Sequence, residues 1–177
     1  VASITATKVF NQSEKVKFFR FGDGAPFVGA TPIRANTVYD AGRGYGVSGG
    51  EIHARTWQGE FPLLGSMIAG QNLGFRCDLP DGDYEVQVVA FGQSWQGARD
   101  PSYKILANDA VAVDFQNTPE KFYSFDGHYY GANLFFDPSK TLFDQYHRKY
   151  FEAHKFETKA ANGSLNLNFE GCGVRAL

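Results

Sequence analysis

From Asp83 to Phe91 the side chains alternate, with Tyr84, Val86, Val88 and Ala90 on one face and Asp83, Glu85 and Gln87 beginning the other. A period of two residues belongs to a strand with one face buried and the other in water, as in antiparallel sheets. No segment keeps the i, i+3, i+4 spacing of a long amphipathic helix. Twenty Gly, seven Pro and 17 Phe beside a single Met agree, because Phe suits a pleated, half-buried surface while Gly and Pro make turns. The chain reads as all-β.

Turn chemistry then divides it. Pro80-Asp81-Gly82 offers a fixed φ followed by a residue free to take φ > 0, and predicts a hairpin between Asn72–Leu79 and Asp83–Phe91. Asn162-Gly163, a type I′ pair, predicts a second hairpin between Phe151–Thr158 and Ser164–Glu170, with Leu165, Leu167 and Phe169 facing inward. Further strands are expected at Ile4–Phe10, Val16–Phe21, Thr37–Tyr39, Ile52–Trp57, Tyr103–Leu106, Val111–Phe115 and Gly173–Leu177. Gly42–Gly50 lacks the Gly-Lys-Ser/Thr ending and following helix of a phosphate loop, and reads as a loop and strand. Short strands spaced by turns predict a sandwich.

The 177 residues suffice for one well-buried core, so a single domain is expected over 1–177. A net charge of -2, a pI near 6.1 and the lack of any Lys/Arg run argue against a nucleic-acid partner. No apolar run approaches the ~18 residues of a membrane-spanning helix. The start, Val1-Ala2-Ser3-Ile4, fits a processed secreted protein or an excised domain, and a secreted or extracytoplasmic location is expected. Cys77 and Cys172 are too few for a disulfide scaffold. Two buried free thiols are the favoured reading over a pair.

One stretch breaks the strand rhythm. Between Phe122 and Phe151 lie 11 of the chain's 28 aromatic residues, mixed with Asp126, His128, Asn133, Asp137, Asp144 and Arg148 without a steady period. It is too long for an ordinary connection. An insertion at about 118–150 is expected.

Several motifs taken together carry a resemblance: Phe19-Arg20-Phe21-Gly22-Asp23-Gly24, Tyr39 followed by Gly44-Tyr45-Gly46, Asp78-Leu79-Pro80-Asp81-Gly82-Asp83-Tyr84-Glu85-Val86, Tyr103-Lys104-Ile105 with Asn108, and Asn162 through Gly171. In this order they resemble the galactose-binding-like sandwiches that accompany beta-agarases and rhamnogalacturonan acetylesterase-like enzymes of the YXIM type, with malectin-like architecture. The resemblance spans about Val16 to Leu177 and implies a jelly-roll β-sandwich attached to a carbohydrate-active enzyme. It implies no catalysis by this domain, and no Gly-Asp-Ser nucleophile block is present. Arg20 stands where such domains often carry an acidic residue. The glycines of these motifs also have a plain reading as turn residues.

Sugar recognition needs flat apolar faces for pyranose C–H surfaces and planar polar groups for hydroxyls. Trp95, with Gln96, Arg99 and Asp100 in one loop after a predicted strand, meets that need. Asp126, His128, Tyr129, Tyr130 and Asn133 form a second set, around a bend at Gly127. The alternative for each ring is core packing. Trp57 reads better as a core or rim residue, and Tyr146-His147-Arg148 as a solvated face.

No cofactor is expected. Asp78, Asp81 and Asp83 cluster at a turn without EF-hand spacing, which leaves structural calcium open through irregular loop oxygens. Four scattered histidines argue against zinc. The function expected is a non-catalytic carbohydrate-binding module whose partners are a polysaccharide or oligosaccharide and a catalytic domain. A jelly-roll polysaccharide lyase using a Tyr and a His, and a structural domain supporting an enzyme, are the alternatives.

Overall fold

The computed structural model describes residues 16–24, 28–56, 65–92, 102–116, 139 and 153–177. Every regular element among them is a strand: β1 (Phe19–Phe21), β2 (Thr31–Ile33), β3 (Tyr45–Ser48), β4 (Ile52–Thr56), β5 (Ser66–Gly70), β6 (Leu73–Asp78), β7 (Gly82–Gly92), β8 (Tyr103–Ala107), β9 (Ala110–Phe115), β10 (Ala153–Ala160), β11 (Ser164–Glu170) and β12 (Cys172–Ala176). They form two sheets. One runs β10-β7-β12-β1-β2, with β5 also on β12 and β4 beyond it; the other runs β3-β6-β11-β8-β9. The result is the expected all-β jelly-roll sandwich.

The inward faces follow the alternation in the sequence. Val86, Val88 and Ala90 of β7 are buried, as are Leu165, Leu167 and Phe169 of β11. Phe75 on β6 meets Phe19 and Phe21 of the other sheet edge-on, with ring centroids 5.0 and 5.2 Å apart. Each of the Val, Leu and Phe side chains among them contributes about 1.5–3 kcal/mol when taken from water.

Both predicted hairpins are overturned. β6 pairs with β3 and β11, whereas β7 pairs with β10 and β12. Pro80-Asp81-Gly82 is therefore a corner between sheets. Asn162 and Gly163 do take the positive φ values of a type I′ turn, 55° and 74°, and Ala161 and Ser164 exchange hydrogen bonds of 3.1 and 3.2 Å. Beyond that bridge β10 and β11 part into different sheets. A turn fixes the local path of the backbone; burial decides the partner beyond it. The corners lie side by side, with Gly163 N donating to Asp81 Oδ1 at 2.7 Å and Leu79 N to Gly163 O at 3.0 Å.

Three other differences have local causes. Thr37–Tyr39 makes only an isolated bridge, Val38 to Val47, and no strand. Tyr39 lies so close over β3 that a Cβ at Gly46 would stand 2.4 Å from Tyr39 Cα, and glycine there permits the approach. β2 contains Pro32, which the sequence pattern marks as a breaker; it sits at the sheet's edge, the place where a strand tolerates proline. β5 is buried along nearly its whole length and shows no alternation. The expected strand Ile4–Phe10 lies outside the described residues.

Cys77 and Cys172 are buried free thiols in different sheets. Burial pushes the Cys77 thiol above its ordinary value and Cys172 up to about 12. A thiol reagent at pH 8 should label neither in the folded protein and both after denaturation; fast labelling of the native chain would show the core open at these positions. The folded state keeps the Cys172 proton that an unfolded chain releases above its ordinary 9.0. This group's contribution is thus intact below pH 9 and declines as pH rises toward 12.

Candidate functional site

Strand direction and register bring one set of strand ends together. Cys172 lies opposite Gly92, Ala153 opposite Val89, Tyr103 opposite Phe115, and Glu170 opposite Lys104. Gly92, the last residue of β7, and Ser102, just before β8, flank 93–101; Gln116, after β9, and Ala153, the first residue of β10, flank 117–152. The roots of both segments thus stand at one end of the sandwich. β9 and β10 are the outer strands of opposite sheets.

Three rings tie that end across the two sheets. Tyr103 stacks on Phe115 with centroids 4.7 Å apart and planes 20° apart. His154 of β10 meets both edge-on, at 5.6 and 5.9 Å. The Tyr103 hydroxyl and His154 Nε2 share a hydrogen bond of 2.5 Å. Tyr103 is only 5% exposed, so its hydroxyl is turned into the protein and links β8 to β10. The knot is built from alternation: Tyr103, Ile105 and Ala107 face inward on β8, and His154 and Phe156 are less exposed than their neighbours on β10.

Several of the residues that carry the family resemblance serve the fold. Tyr39 Oη donates to the Asp78 carboxylate, 2.9 Å from Oδ2, while Arg76 Nε lies 3.1 Å from Asp78 Oδ1. The Arg76 guanidinium sits 4.4 Å from the centre of the Tyr39 ring. The Tyr39 hydroxyl's own hydrogen bond to Asp78 is the main cause that raises the phenol above its ordinary value. Asp78 N donates to Gly44 O at 2.7 Å, so Tyr39, Gly44 and Asp78 lock a loop onto the end of β6. Arg20 is buried and donates to Gly24 O at 2.9 Å; Ser66 Oγ ties Gly24 N to Phe21 O. That clamp explains why a cation fits at position 20.

The three turn carboxylates do not converge. Asp78 holds Tyr39 and Arg76, Asp81 caps Gly163 N, and Asp83 lies 3.6 Å from Lys159 Nζ. Trp95, Gln96, Arg99, Asp100, Asp126, His128, Tyr129, Tyr130 and Asn133 all lie outside the described residues, as do Trp57 and Tyr146-His147-Arg148. What is placed is the pair of roots on either side of each set. The ring knot was not singled out by sequence, because only the register shows that Tyr103, Phe115 and His154 meet.

No protein-family model matches the chain, and no curated protein matches it. Among solved structures it is similar to protein YXIM of Bacillus subtilis, with a TM-score of 0.59 and 19% identity over 90% of this chain and 38% of that one. It is also similar to a calcium-binding mutant of Bacteroides uniformis beta-glucuronidase 2, with a TM-score of 0.52 and 17% identity over 90% of this chain and 17% of that one. The chain spans well under half the length of each. At such identities what the likeness establishes is a shared sandwich fold.

Proposed function

We propose that this chain is a non-catalytic carbohydrate-binding module that recognises a polysaccharide or oligosaccharide outside the cell, as an accessory to a carbohydrate-active enzyme. The observation that carries this reading is the meeting of the roots of 93–101 and 117–152 at one end of the sandwich. These segments contain the two sets of rings, amides and charged groups suited to pyranose units. The likeness to part of a protein named a beta-glucuronidase supports it. The Tyr103–His154 pair is held inward as a brace between sheets; the pairs that the lyase alternative would use, His128 with Tyr129 or Tyr130 and His147 with Tyr146, lie outside the described residues.

Affinity electrophoresis of the pure chain in a panel of marine and plant polysaccharides tests the reading, with unsaturated uronate and reducing ends assayed in parallel. Retention without product is expected. Bond cleavage by the pure chain would replace the binding module with an enzyme. Failure to bind any glycan, with tight association to a catalytic domain, would favour a structural support.

A further inference from the structure

Beside two of the roots, Ser102 and Gln116, the five-stranded sheet carries a shallow groove of about 220 Å³, lined by Ser102, Tyr103, Lys104, Asp114, Gln116 and Glu170. Ser102 is the first described residue after 93–101 and Gln116 the last before 117–152. Register sets Lys104 of β8 opposite Asp114 of β9 on one side and Glu170 of β11 on the other. The three charges form a row across the strands. They face away from the core, since Tyr103, Ile105 and Phe169 beside them point inward.

The groove offers both halves of the hydrogen bonding that a sugar hydroxyl needs. Asp114 and Glu170 accept, while Lys104 and the Gln116 amide donate. Lys104 Nζ lies 3.8 Å from Asp114 Oδ2, both side chains are about half exposed, and Gln116 Nε2 donates to Asp114 Oδ1. One ammonium against two carboxylates leaves the row with a net charge of -1.

We propose that this groove is a subsite for a neutral pyranose unit of the bound polysaccharide and disfavours uronate and sulfated units. The inference rests on the carbohydrate-binding reading and names its ligand class. Vicinal hydroxyls donating to a carboxylate form charge-assisted bonds, which are shorter and stronger than neutral ones. An anionic sugar meets Glu170 and Asp114 with the one cation already engaged, and opposed like charges discriminate against a partner. Because the groups are solvent-facing, the discrimination shrinks as salt rises.

The test is affinity electrophoresis at low salt in agarose, galactomannan, polygalacturonate and carrageenan gels. It compares wild type, the double variant Asp114→Asn with Glu170→Gln, and Trp95→Ala, with thermal unfolding as a check of the fold. Wild type should be retained by a neutral polymer and pass the anionic ones. The double variant should lose roughly tenfold in affinity for the neutral polymer and bind the anionic ones more strongly than wild type. If the double variant unfolds, the two single substitutions take its place.

Retention of wild type by an anionic polymer alone overturns the inference, as does a double variant that matches wild type. In either case, loss of retention in Trp95→Ala leaves the binding-module reading standing. No retention in any gel overturns both.

Discussion

Phe75→Ala should lower the midpoint of thermal unfolding by on the order of 10 °C, the largest loss of stability expected from a single truncation in this core. Phe75 is 2% exposed and lies at the middle of β6, opposite Val47 on one side and Leu167 on the other. Its ring meets Phe19 and Phe21 of the facing sheet. Removing it empties a space lined by groups held in two sheets, which limits collapse around the gap; such truncations cost about 3–5 kcal/mol. In a chain of this length each kcal/mol moves the midpoint by roughly 2–4 °C. Calorimetry of the variant decides: a shift of only a degree or two would show that the sheets do not depend on this ring. Phe75→Leu, which keeps most of the volume, should lose far less.

Trp95→Ala should abolish retention on the cognate glycan or weaken it at least about 30-fold, while the unfolding midpoint stays near that of wild type. An aromatic anchor at the centre of a binding site contributes about 2 kcal/mol or more, and 1.4 kcal/mol is tenfold in affinity. The sequence places position 95 in a loop after the strand that ends near Phe91, so binding and stability should separate. Affinity electrophoresis beside thermal unfolding reads both. Unchanged retention would remove Trp95 from the site; a collapse of the midpoint would make it a packing residue at the sandwich end.

Much of the architecture was legible from local pattern. β11 begins and ends where the sequence places it, at Ser164 and Glu170, because its alternation is strict and a turn precedes it. β7 and β8 are close to their expected bounds for the same reason. Partnership was not legible. Two turns with hairpin chemistry became corners, since β6 and β7 bury their apolar faces from opposite sheets and must separate after the turn. β2 and β5 escaped because a proline and two-sided burial each erase the period of two, whereas β3 falls within the loop and strand read at Gly42–Gly50.

The candidate site shows the same division. Its residue types are readable at Trp95 and from Asp126 to Asn133, whereas the gathering of their roots is a product of register between strands far apart in the chain. Nothing near Lys104 announces that Asp114 and Glu170 flank it. Conversely, the motifs that make the family resemblance recognisable mark clamps such as Tyr39–Asp78 and Arg20–Gly24. Backbone demands of a sandwich leave a stronger trace in sequence than the gathering of surface groups from separate strands.

The placement of β9 and β10 as outer strands of opposite sheets, both turned toward the same end, also bears on how such a protein diversifies. Gln116 and Ala153, the described residues on either side of 117–152, thus lie at strands of different sheets. For a flexible connection, closure entropy grows only logarithmically, at about 0.6 kcal/mol for each doubling. The ring knot of Tyr103, Phe115 and His154 braces the frame at that end, so the sequence between Gln116 and Ala153 is free to vary while the two sheets stay joined.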